Sequence, residues 1–265
     1  MNVLTAPTNL GNRPYESDGT ARQTDRGPGR LRQHGVVERL RARDLGDVPA
    51  APFRDFVRAP GTVRNEDLVA AHTQAIASAL RAASGFTLVL GGDCSTLLGC
   101  LDALRPQALI FLDGHTDFNT PQTSQTGGVA GMDLALVTGR GATPLARRLV
   151  EDEDVIAFGI REGDFGDAKI RIARTEEEVL AGIGDRDFFV HVDADVLDPS
   201  IMPFVDTPEP GGLSAEALTS LLGRLVAHPR ALGAELTIYD PRDDDDGRGA
   251  ALLVDILENA FRGRS

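Results

Sequence analysis

The chain is poor in cysteine, in basic residues and in long apolar runs. Two cysteines, Cys94 and Cys100, do not make a disulfide framework. Met1–Leu10 lacks a basic start followed by an apolar stretch, so the expected compartment is a reducing cytoplasm. No run approaches the roughly 18 apolar residues of a membrane span. Lysine and arginine number 27 against 40 aspartates and glutamates, a net charge of −13. That balance excludes a general attraction to nucleic acid or to an anionic membrane, and it suits a cationic substrate or a metal ion. Part of the excess is the run Asp243–Asp246, expected to be a solvated loop.

What is present is a globular composition, 42% hydrophobic and 25% charged over 265 residues, enough for one large domain, 1–265, with a full core. Short apolar runs predict strands at Phe86–Leu90, Ala108–Leu112, Val155–Ile160, Phe188–Val192 and Ala231–Ile238, with a first strand around Leu4. Between them the spacing predicts helices at Asn65–Ala83, Thr96–Leu104, Glu176–Ile183, Ser214–Ala227 and Gly249–Phe261, with Ser214 as an N-cap. Gly11–Gly35 and Thr116–Gly131 read as long loops, which in compact domains often carry function. Strand–helix alternation implies an α/β fold with a mostly parallel sheet covered on both faces.

Three predicted strands run into polar clusters: Gly91-Gly92-Asp93-Cys94-Ser95, Asp113-Gly114-His115-Thr116-Asp117-Phe118-Asn119 and Asp193-Ala194-Asp195-Val196-Leu197-Asp198-Pro199. Ligands of open parallel sheets sit at the carboxyl ends of strands. On an extended backbone, Asp113, His115 and Asp117 share one face, as do Asp193 and Asp195. Four carboxylates and an imidazole at buried strand ends need compensating charge. Two divalent cations fit better than one, and the oxygen-rich set favours Mn²⁺ over Zn²⁺. His191 alternates with Asp193 and is expected to be a satisfied buried histidine. Cys100 lies in a helical apolar pattern and is expected in the core.

The segments GGDCS, LDGHTDFNTP and HVDADVLDPSIMPFVDTPEPGGLS resemble the ureohydrolases, the family of arginase, agmatinase and relatives. The resemblance covers most of the chain. It implies a three-layer αβα sandwich and a hydrolase of guanidino groups that uses two Mn²⁺. By the same resemblance Cys94, Asp113, Asp117 and Asp193 hold one ion, and Asp113, His115, Asp193 and Asp195 hold the other. A hydroxide between the ions is the implied nucleophile, with Asp117 its hydrogen-bond partner and the proton donor to the leaving amine. Asn119 and Thr126 fall where the family contacts an amino-acid carboxylate. Asp164 falls where the α-amino group is bound, with Asp167 near a second acidic position. A small amino-acid substrate is thereby implied.

Three departures are informative. The family motif usually reads GGDHS, and here Cys94 stands in the histidine's place. The loop histidine of arginase falls on Ala130. The acid that pairs the guanidinium falls on Ile238; the nearest acid, Glu235, lies on the opposite strand face and reaches the substrate only if the strand is bulged. A guanidinium normally needs a buried carboxylate partner. An N-hydroxyguanidine is less basic and needs less compensation. Family members that hydrolyse N-hydroxy-L-arginine to hydroxyurea and L-ornithine, as in the D-cycloserine pathway, look like this chain in having Cys in the metal motif and no loop histidine. The resemblance therefore points to that activity, with arginase, agmatinase or guanidino-acid hydrolase activity as the alternative. A non-catalytic metal-binding relative is opposed by the five intact ligands. With only Arg262-Gly263-Arg264-Ser265 after the last predicted helix, a monomer is expected.

Overall fold

The computed structural model describes residues 1–264. Strands Asn2–Ala6 (β1), Arg43–Asp47 (β2), Thr87–Gly91 (β3), Ala108–Leu112 (β4), Val155–Phe158 (β5), Arg171–Ile172 (β6), Phe188–Asp193 (β7) and Ala231–Thr237 (β8) form one sheet. Its order is β2-β1-β3-β8-β7-β4-β5-β6, and every neighbouring pair is parallel. The helices are Gly27–Gln33 (α1), Val36–Arg39 (α2), Glu66–Ala82 (α3), Thr96–Leu104 (α4), Asp133–Val137 (α5), Glu176–Ile183 (α6), Ala215–Ala227 (α7) and Arg248–Phe261 (α8).

Side chains alternate across the sheet, as the two-residue period of a strand requires. In β4, Ala108, Ile110 and Leu112 join one core with β7 residues Phe188, Val190 and Val192. Leu31 of α1, Val179 of α6, Leu221 of α7 and Leu253 of α8 cover that face. Leu109 and Phe111 point the other way, with Phe189, into a core closed by Ile76 of α3, Leu97 of α4 and Leu134 of α5. Burial on both faces makes the three-layer αβα sandwich and explains why the strands read as continuous apolar runs.

The predicted major elements form, with ends shifted by up to two residues. Ser214 caps α7, its hydroxyl accepting from the Ala217 amide at 3.2 Å. Two strands, β2 and β6, lacked an apolar signal. Both lie at sheet edges and carry charge, so their sequences never alternate as buried strands do. Gly11–Gly35 is not loop throughout, because its end folds as α1 behind Pro28, a residue suited to a helix start. The run Asp243–Asp246 is not wholly solvated either: Asp244 is buried. No helix among the described residues is long and apolar enough to cross a membrane.

Candidate metal centre

The four central strands β3, β8, β7 and β4 deliver the charged residues at their carboxyl ends. Asp113, His191, Asp193 and Glu235 all lie on the face that elsewhere buries Leu109, Phe111 and Phe189. Three sets of ligand atoms converge: Asp113, His115 and Asp195; Asp113, Asp117 and Asp193; and Cys94, His191 and Asp193, each set within 4.8 Å. The expected residues are thus brought together, but not by extended backbone alone. β4 ends at Leu112, and Asp117 has a left-handed φ of 43°. Asp193 turns directly into a 3₁₀ turn at Ala194–Val196, its carboxylate accepting from the Asp195 amide at 2.7 Å. Strand alternation aims Asp113, His191 and Asp193, and tight turns aim His115, Asp117 and Asp195.

Hydrogen bonds set most of the remaining geometry. His115 Nδ1 lies 2.9 Å from Asp195 Oδ2, and the His115 amide donates to Asp113 Oδ1 at 2.6 Å. The buried Cys94 thiol donates to Asp193 Oδ2 at 3.0 Å and lies 3.1 Å from Thr237 Oγ1. Burial, followed by the charge of Asp195, pushes Asp113 up to about 6. Burial and neighbouring carboxylates push Asp117, Asp193 and the Cys94 thiol well above their ordinary ranges. Burial alone would lower His115, but Asp195, with Asp113 and Glu162, lifts it to about 9. These are marks of negative charge crowded in a dry site.

Divalent cations fit this donor set. Among the described residues, Asp113 Oδ2, His115 Nε2 and His191 Nε2 are buried without a hydrogen-bond partner. Such orphaned donor atoms within a carboxylate cluster are what cations satisfy. Carboxylate oxygens dominate, with nitrogens at His115 and His191 and the softer sulfur of Cys94 at one end.

The converging side chains open onto a cleft of about 410 Å³. Asp117, His115, Asp193 and Asp195 line it, as do Asn119 and Thr126. Asp164 and Asp167 do not. Both are exposed, and Asp164 accepts from the Gly166 amide at 2.7 Å within its own turn. The acid that this segment presents to the cleft is Glu162. Ala130 and Ile238 also line the cleft, so the two places read as uncharged are uncharged walls of the site.

Glu235 corrects the sequence reading. β7 and β8 run in continuous register from Phe189 to Asp193, with no bulge beside Glu235. Its side chain is fully buried, away from the cleft, where Oε1 lies 2.8 Å from His191 Nδ1. Its Oε2 accepts from Thr96 Oγ1 at 2.8 Å and from the Cys100 thiol at 3.4 Å. Glu235 therefore does not reach substrate; it holds His191. The His191 ring stacks on Phe111, with centroids 4.7 Å apart, and its Nε2 stands 3.8 Å from Asp113 Oδ2. Only half of this histidine is satisfied. Asp133, at the start of α5, was missed altogether. It is buried, both its oxygens lack partners, and burial and nearby carboxylates raise it well above the ordinary range. In sequence it is only an acid at a helix start.

A model of the arginase family matches residues 12–262. The arginase of Bacillus caldovelox is 30% identical over 285 residues, spanning 94% of this chain and 95% of its own. The arginase of Brucella melitensis is 28% identical, covering 94% of both chains. The native structure of the Bacillus caldovelox arginase superposes with a TM-score of 0.87 at 29% identity, over 98% of this chain and 97% of its own. With its parallel sheet, its converging aspartates and this likeness along nearly the whole length, the chain belongs to the arginase family.

Proposed function

We propose that this chain is a dimanganese amidinohydrolase that converts N-hydroxy-L-arginine and water to hydroxyurea and L-ornithine. Members of the family are metal-dependent amidinohydrolases, and in this chain the expected aspartates and His115 converge. The observation that carries the narrower reading is the pair of cleft walls at Ala130 and Ile238, which offer neither an imidazole nor a carboxylate. Besides the metal ligands, the anions lining the cleft are Glu162 and Asp206, and Asp206 is already paired with Arg22 at 2.6 Å, which leaves Glu162 to meet a strongly basic guanidinium. The less basic N-hydroxyguanidine tolerates that environment.

Cys94, Asp113, Asp117 and Asp193 would hold one ion, and Asp113, His115, Asp193 and Asp195 the other. When bound, the ions supply Lewis acidity and bring the pKa of water down toward neutrality. The Asp117 carboxylate, lining the cleft, would accept a proton from the attacking water and deliver it to the leaving nitrogen of L-ornithine. Asn119 and Thr126 orient the amino-acid end. Asp195 fixes the His115 ring.

Product analysis across N-hydroxy-L-arginine, L-arginine and agmatine with Mn²⁺ present tests the reading. Hydroxyurea formation at a kcat/KM at least about tenfold above urea formation from L-arginine is expected, the low end of what one acid–base group contributes. Equal turnover of L-arginine would show that neither wall matters and would return the protein to arginase.

A further inference from the structure

The beginning of Gly11–Gly35 has an unassigned task in the structure: it forms part of the cleft lining. The Gly11 amide donates to the buried carboxylate of Asp93 at 2.9 Å, and its carbonyl accepts from the Ala130 amide at 3.0 Å. Gly128 approaches so closely that a Cβ there would meet the Gly11 carbonyl at 2.5 Å, which only glycine permits. Gly128 in turn donates its amide to Thr126 Oγ1 at 3.2 Å. The backbone two residues before Arg13 is thereby pinned against the segment that carries Thr126.

Arg13 lines the cleft, and among the described residues that do so it is the only arginine or lysine. Its present partners leave the guanidinium available. Nη1 pairs with Glu16 at 2.9 Å, but that carboxylate is 78% exposed and solvent-screened. Asp206, 3.8 Å from Nε, is already held by Arg22 at 2.6 Å and by the Asn12 amide at 3.1 Å. A guanidinium presents its donors in a plane that matches a carboxylate.

We propose that Arg13 binds the α-carboxylate of the substrate, beside Asn119 and Thr126, and sets a preference for α-amino acids over their decarboxylated amines. The inference rests on the amino-acid reading above and deepens it. The role is recognition alone.

Calorimetric titration of the metal-loaded protein with L-ornithine, and with putrescine, the same diamine without the carboxylate, tests it. Arg13→Gln should weaken L-ornithine about tenfold and leave putrescine within about twofold. Equal weakening of both ligands, or of neither, overturns the assignment. Glu16→Gln, a change at an exposed position, should tighten L-ornithine roughly twofold by releasing Arg13. The same tightening in the Arg13→Gln background overturns the assignment as well. If the unaltered protein fails to bind L-ornithine, the amino-acid reading falls and this inference with it. If it binds L-ornithine and Arg13→Gln changes nothing, that reading stands and Arg13 alone is misassigned.

Discussion

At the scale of single residues, Cys94 stands where the resemblance to the family implies an imidazole. Its thiol is held at the cluster by Asp193 and Thr237, so it is already in place to bind a cation as the thiolate. Cys94→Ala should weaken one of two Mn²⁺ by about 10–100-fold, while Cys94→His keeps both; metal analysis with Mn²⁺ electron paramagnetic resonance counts them. Unchanged binding in Cys94→Ala would remove the thiolate from the ligand set. Glu235 is a positioning residue for His191, and through it for Asp113. Glu235→Gln should therefore lower Mn²⁺ affinity by about tenfold without touching the cleft lining, and a titration with metal content as the readout checks this. The clusters themselves were legible because D-x-H-x-D and D-x-D are dense in charge directly after apolar runs. Asp133 was not legible, since nothing local distinguishes a buried helix-start aspartate from an exposed one. The reason for the convergence was misread as well: the left-handed φ of Asp117 has no signature in a non-glycine residue.

At the scale of elements, two devices hold the ends of helices and loops. Asp244 accepts from Tyr239 Oη at 2.6 Å and from the first-turn amides of α8, Gly249 at 3.2 Å and Ala250 at 3.1 Å. Burial alone would raise this carboxyl, but those donors hold it below the ordinary range. A depressed folded pKa gives stability that is present above the unfolded value, about 3.9, and is lost as pH falls through the folded value. Asp244→Asn should cost about 1–2 kcal/mol in urea unfolding at pH 7, with the difference from the parent shrinking below about pH 4. The second device is a clamp on the cleft loop. Arg58 donates to the carbonyls of Gln125 at 2.8 Å and Pro121 at 3.0 Å, and Arg64 donates to that of Thr126 at 2.7 Å. Arg58→Ala frees part of the segment bearing Thr126. KM should rise several-fold while the melting temperature moves little, and steady-state kinetics beside thermal unfolding would show the split. An arginine reaching loop carbonyls across the chain carries no periodic signal, so neither device could be read beforehand.

At the scale of the whole molecule, the sheet ends in strands that discourage pairing with another copy. One edge is β2, Arg43-Asp44-Leu45-Gly46-Asp47, with three charged residues, and the other is β6, two residues long. Charge and brevity are how natural sheets blunt their edges. We therefore expect a monomer of 28.2 kDa by light scattering at micromolar concentration. A mass near three times that value, stable on dilution, would show that association uses another surface.

The sequence alone determined the architecture, because doubly buried parallel strands must be apolar throughout and their helices must be periodic. It also marked the clustered aspartates, because ionised groups at buried strand ends require a partner. What only the tertiary structure decided is which polar residues share the space between distant segments. Glu235 and Asp164 were assigned from position along the chain. The register of β8 against β7, continuous from Phe189 to Asp193, keeps Glu235 beneath the cleft, and Asp164 closes its own exposed turn while Glu162 lines the site. Asp133 comes close to the buried carboxylates through α5, and Arg13 reaches the cleft through the first loop, over separations along the chain that no local pattern records. Periodicity reports which way a side chain points from its own element; what waits there is set by the packing of all the others.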